Sequence, residues 1–222
     1  MIMKRILLAI SSILIACTFV TAEDTTSEQV FNSKIVYNPD LADTGWAALY
    51  DSKLKTRCYT SKKDFYSMHD AGSETFKAQF RHLQPLGIVI KYNGAKIIWG
   101  FESIDGLNWE DAKEYVRNYN PDGHTWRLLT KAESQAIVKK VQYFRDTFID
   151  YYPNFISYSG DSFGHISNWT SSMSNDTWTS KSNGKTYNFV YTLEIYTTDA
   201  DTDKTSSTHE DEHGTVYPIS TL

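Results

Sequence analysis

The sequence predicts an α+β chain built on an antiparallel sheet, and three observations predict it. Two β-rich runs in "GIVIKYNGAKIIWGFES" flank Asn93-Gly94, the strongest short signal for a tight hairpin. Two helical patterns follow in "NWEDAKEYVRNY" and "TKAESQAIVKKVQYF". Strands then return in "YNFVYTLEIYT" and "GTVYPIS". That segregated order differs from the strand–helix alternation of a parallel sheet.

The first residues, "MIMKRILLAISSILIACTFVTAED", predict an export signal, with Lys4 and Arg5 ahead of an apolar run. Two cleavage sites fit it. Leu14-Ile15-Ala16-Cys17 reads as a lipobox, with a signal over 1–16, a lipid on Cys17 and a membrane anchor. Val20-Thr21-Ala22 suits ordinary signal peptidase, with a signal over 1–22 and a mature chain from Glu23. Both predict an extracytoplasmic protein: an outer-membrane or surface lipoprotein, or a periplasmic or secreted one. Residues 23–84 read as an irregular N-terminal extension. There "FNSKIVYN" and "GWAALYD" supply one or two strands between serine-rich turns such as "SKKDFYSMHDAGSE". Residues 85–222 read as the folded domain.

Inside that domain Asn108 is the expected cap of the first helix, with Trp109, Ala112, Val116 and Tyr119 forming one apolar stripe. "NPDG" breaks the chain. Thr130-x-x-Glu133 is a capping box for the second helix, whose buried face would run through Ile137, Val141, Phe144 and Phe148. From Asp150 to Lys185 the aromatic and serine-rich composition predicts a long loop.

With 14% aromatic and 41% hydrophobic residues the chain can bury a core. Beyond the signal only Cys58 remains, which predicts no disulfide and a buried structural thiol. Asp199, Asp201, Asp203, Glu210, Asp211 and Glu212 face Lys204 alone, so one short run carries the whole net charge of −5. No basic stripe exists to hold nucleic acid.

Within that run His209-Glu210-Asp211-Glu212-His213 spells H-E-x-x-H, the zinc-protease pattern. Catalysis needs both imidazoles on one core-facing side of a helix, whereas here Ser206, Ser207 and Thr208 precede the motif and Gly214 follows. The expectation is a solvated loop, no metal site, no cofactor and no enzyme. Asp199, Asp201, Asp203, Ser207 and Glu210 also imitate a calcium loop, but Lys204 stands where that loop needs glycine.

The stretch from Gly87 to Ile219 resembles the bacterial Lcl C-terminal domain family, a C-type-lectin-like module related to the formylglycine-generating-enzyme fold. The matching residues are the hairpin, Trp109-x-x-Ala112-x-x-Tyr115, Trp126-Arg127-Leu128-x-Thr130-x-x-Glu133, "NWTSS" and "VYPIS". The resemblance implies a C-type-lectin-like fold with two helices, with Trp109, Trp126 and Trp169 in the core and Arg127 paired with a carboxylate such as Glu133. It also implies an exported, non-enzymatic protein that binds or adheres to glycan or protein. The enzymatic branch of the related fold uses a cysteine pair; here Cys58 stands alone, outside the matched region. The other reading is a structural surface protein or antigen with no specific small ligand.

A ligand surface is expected in the long loop. Between Tyr151 and Trp178 aromatic residues, Tyr158 among them, interleave with asparagine, serine and aspartate. That mixture offers flat faces for stacking and short polar groups for hydroxyls. Trp178 is the expected exposed platform, with Asn175 and Asp176 as its polar partners.

Overall fold

A computed structural model describes residues 35–70, 78–140, 143, 165–196 and 204–222. The expected signal with Cys17, the proposed contact Tyr158, the helix positions Val141, Phe144 and Phe148, and the acids Asp199, Asp201 and Asp203 lie outside the described residues. Strands β1 (Ile35–Val36), β2 (Ala47–Asp51) and β3 (Thr56–Thr60) lead into helix α1 (Lys62–Asp70). Strands β4 (Leu83–Tyr92), β5 (Ala95–Gly100) and β6 (Ile104–Leu107) precede helices α2 (Trp109–Asn118) and α3 (Lys131–Ile137). Strands β7 (His165–Thr179), β8 (Thr186–Tyr196), β9 (Lys204–His209), β10 (Gly214–Val216) and β11 (Ile219–Thr221) complete the order. The class is mixed α+β, with two sheets ordered β1-β3-β2-β4-β5-β11 and β6-β10-β7-β8-β9. Pairing among β2, β3, β4, β5 and β11 and within the second sheet is antiparallel except that β10 runs parallel to β7, and an isolated parallel bridge joins Leu129 to Thr170.

The β4–β5 hairpin turns as its sequence requires. Asn93 and Gly94 hold φ of 47° and 89°, the left-handed pair of a tight turn whose twist matches the flanking strands. At the far end of β5, Gly100 donates its N–H to the Pro218 carbonyl at 2.8 Å. A Cβ on Gly100 would stand 2.7 Å from that oxygen, so only glycine lets the last segment close onto β5.

Three expectations are corrected. The border expected between residues 84 and 85 falls inside β4, and β2 pairs with both β3 and β4. Residues 47–60 are therefore central to a sheet and not an appended extension. Pro85 lies within β4 without ending it. Ladder pairing of β4 with β5 begins only at Gly87, so Pro85 withholds no N–H from that ladder. The "SKKDFYSMHD" stretch, read as turns, is helix α1; Phe65 and Met68, one turn apart, are its buried positions. Helix α1 is thus additional to the two helices expected.

Both expected helix starts are present. The Asn108 side chain accepts from the Asp111 N–H, and Thr130 and Glu133 form the reciprocal capping box. Glu133 also takes both guanidinium arms of Arg127, at 2.8 and 2.6 Å. Trp109, Ala112 and Val116 of α2 pack with Leu128, Trp169, Val190 and Val216. Each large indole there satisfies its N–H on backbone: Trp109 donates to the Thr170 carbonyl at 2.8 Å and Trp169 to that of Leu107 at 2.7 Å. The second core joins Ala48, Tyr59, Leu86, Val89, Ile98 and Trp126.

A buried ion pair ties β3 to the segment around Asp122 and to the last strand. Arg57 on β3 holds Asp122 at 2.5 Å, Ser220 at 2.8 Å and the Thr221 carbonyl at 2.9 Å. Asp122 also accepts from the Trp126 indole at 2.9 Å. Burial pushes the Asp122 carboxyl up, but Arg57 and Trp126 outweigh it and hold it below its ordinary value. Cys58 is buried; desolvation, then the Asp51 charge, push its thiol up to about 12, which leaves it inert.

Candidate functional site: an aromatic face on the smaller sheet

Strand alternation divides the five-stranded sheet. On β8, Val190 faces α2 and is fully buried, so Tyr187, Phe189 and Tyr191 point the other way. On that other face α3 packs against β7, β8 and β9, with Ser134 at 3.0 Å from Thr205 and the Lys131 ammonium 3.7 Å from the Tyr191 ring centre. The Lys131 and Ser174 side chains lower the Tyr191 pKa.

Beyond Tyr191 the face opens. Trp178 lies opposite Tyr187, and Phe189 opposite His209, so three neighbouring strands bring four rings together. Trp178 and His209 stack with centres 4.8 Å apart and planes 13° from parallel. Tyr187 stacks on each of them at 5.5 Å, while Phe189 meets His209 edge-on at 4.8 Å. Trp178 stays 44% exposed. Among the described residues no group accepts its indole N–H. Lys185 lies over Tyr187 at 4.6 Å and pairs with Asp211, closing one side of the face with charge.

Trp178 is exposed as expected, but on a strand and not on a loop. Residues 165–179 form β7, paired along β8, with register shifts between Trp169 and Met173 and between Met173 and Thr177. Those irregularities explain the misreading: the polar run "TSSMSNDT" lacks clean alternation because the strand is bulged through it. Asp176 is exposed and bonded to Ser174 at 2.8 Å, so its carboxylate is held there and not on Trp178. Asn175 is exposed on the same strand, without a bond to the stack.

In the H-E-x-x-H stretch only His209 departs from the solvated loop expected of it, for residues 210–213 form a turn with Asp211, Glu212 and His213 exposed. His209 ends β9, inside the ring stack, and Glu210 accepts from the Asn188 side chain at 3.1 Å. The Glu210 carbonyl accepts from the Trp109 N–H at the start of α2. His209 and His213 therefore belong to a strand end and a turn, and share no helical face. His209 is the functional candidate the sequence concealed, because a motif pattern says nothing of what a strand pairs with.

Two clefts flank α2. One, of about 560 Å³, is lined by Glu102, Asp111 and Glu114 beside Ile104, Tyr115 and Tyr119. Desolvation and the Glu102 carboxylate raise the Tyr119 pKa. The other, of about 490 Å³, is lined by Lys113, Arg117, His124 and Arg127 over Trp126 and Leu128. No protein-family model matches the chain, and a search of curated proteins finds no match.

Proposed function

We propose that this chain is an exported, non-enzymatic binding or adhesion protein that uses a C-type-lectin-like domain to hold a glycan or protein. The observation that carries the reading is the Trp178–Tyr187–His209 stack, open to solvent on one face of three paired strands. A flat ring with a free donor, backed by other rings, gives apolar contact to sugar C–H faces or to protein side chains at low entropic cost. Strands beneath the rings hold them in place, so little ordering is left to oppose binding. In this reading His209 serves as packing, and the chain performs no chemistry with it.

The test is a glycan and protein array probed with the purified mature chain and with Trp178→Ala. The expected outcome is a defined set of hits that Trp178→Ala loses, with the circular dichroism spectrum unchanged. Hits that survive Trp178→Ala would move the surface elsewhere. A silent array would favour the structural surface protein. Anchoring is a separate question: palmitate labelling in a bacterial host, abolished by Cys17→Ser, marks the lipoprotein, and an intact mass starting at Glu23 marks the free form.

A further inference from the structure

We infer that the basic cleft between α2 and the segment 123–128 is a second binding site, for a small organic carboxylate, independent of the Trp178 face. Three observations converge on it.

The first is charge separation around one helix. The two clefts share α2, yet Glu102, Asp111 and Glu114 line one and Lys113, Arg117, His124 and Arg127 the other. No carboxylate lines the basic cleft, in a chain whose net charge is −5. A helix that is merely solvated intersperses its signs, because like charges at i and i+4, as in Lys113 and Arg117, repel. The helix dipole favours one cation in the last turn, which accounts for Arg117 alone. It does not account for Lys113, more than one turn before that end, or for Arg127 and His124, brought from outside the helix.

The second is what each basic side chain is already doing. Arg127 is committed to Glu133 and to the Leu128 carbonyl. Lys113 pairs with Glu110 at 2.6 Å and lies 3.8 Å over the Trp109 ring. His124 has its Nδ1 3.1 Å from the Asp122 carbonyl and 3.4 Å from that buried carboxylate. Arg117 alone has no ion pair among the described residues, and it is exposed. An uncommitted guanidinium fork beside positioned cations matches a carboxylate bidentately.

The third is the apolar lining. Val116, Trp126 and Leu128 are buried and line the cleft together with the basic side chains, so it offers apolar surface as well as charge. Its size, about 490 Å³, suits an organic body bearing the carboxylate rather than a bare inorganic anion.

Titration calorimetry of the full mature chain with benzoate, glucuronate, methyl glucoside and inorganic phosphate tests this. Saturable binding of benzoate or glucuronate is expected, with none for the neutral glucoside and weaker binding of phosphate. Arg117→Gln keeps helix propensity and should lower carboxylate affinity about tenfold. Lys113→Met should lower it less, because Lys113 already has a partner. Glu114→Gln, in the other cleft, and Trp178→Ala should leave it unchanged. Three results would overturn the site: no carboxylate bound, affinity unmoved by Arg117→Gln, or phosphate bound as tightly as the carboxylates. Loss of carboxylate binding in Trp178→Ala would instead put that ligand on the aromatic face.

Discussion

Strand β7 carries two tryptophans with opposite fates. Trp169, near one end, is fully buried and packs against α2, with its indole N–H on the Leu107 carbonyl. Trp178, near the other, is 44% exposed and lies against Tyr187 and His209 with its indole N–H unused among the described residues. The same side chain on the same strand is structural where a helix covers it and available where none does. Burial therefore follows from what packs on each face, and the indole donor is left unspent at the end that nothing covers.

The largest expected effect breaks the buried end. Trp169→Ala should destabilise the chain by about 3–5 kcal/mol, leaving a cavity beside Trp109 and an unpaired carbonyl at Leu107. Guanidinium unfolding checks it, and a midpoint near that of the unaltered chain would remove Trp169 from the core.

Trp126 sharpens the same contrast, because its indole is satisfied by a charge and not by backbone. Asp122→Asn removes the partner of buried Arg57 and should cost about 3–5 kcal/mol at neutral pH. The pH dependence has a fixed sign. Asp122 and Glu133 both titrate lower in the folded chain than when unfolded. Their contribution is then complete above the unfolded value, about 4, and is lost as pH falls through the lower folded values. Stability measured by urea unfolding should decline below about pH 4 and be flatter there in Asp122→Asn. A decline of unchanged depth in that variant would show that other groups carry the acid sensitivity.

The hairpin, both helix caps and the buried stripe of α2 were legible in the sequence, because each depends on residues within a few positions of one another. The Arg127–Glu133 pair came through the resemblance and is borne out by geometry. What the sequence hid is long-range. Arg57 meets Asp122 and Ser220 across most of the chain, and "NPDG" reads as a turn whether or not its aspartate is buried. His209 joined the candidate site only because β9 pairs with β8, and polar "KTSSTH" carries no strand signal of its own. Bulged β7 concealed itself for the same reason: with its period broken, composition alone suggested a loop.

His209→Ala tests whether the exposed end is a built platform. It removes contacts to Trp178, Tyr187 and Phe189 together, and should cost about 1–2 kcal/mol. The Trp178 indole N–H resonance should shift and broaden as the ring loses its neighbour. An unmoved resonance would mean that the stack does not hold Trp178 in solution. Deleting 204–209 should do more, because it strips the outer strand from β8 as well as the ring.

The smallest stability effect belongs to Trp178 itself. With 44% of its surface already in water and no hydrogen bond among the described residues to lose, its truncation leaves no closed cavity. Only the stacking on Tyr187 and His209 disappears, so Trp178→Ala should cost at most about 1 kcal/mol. That is a fraction of the cost at Trp169 on the same strand. Thermal melts of the two variants side by side give the ratio directly. Comparable losses would show that both ends of β7 are core, and the aromatic face would then be packing that happens to be visible. A small loss at Trp178, joined to lost array binding, would leave one strand with an anchor at one end and a contact surface at the other.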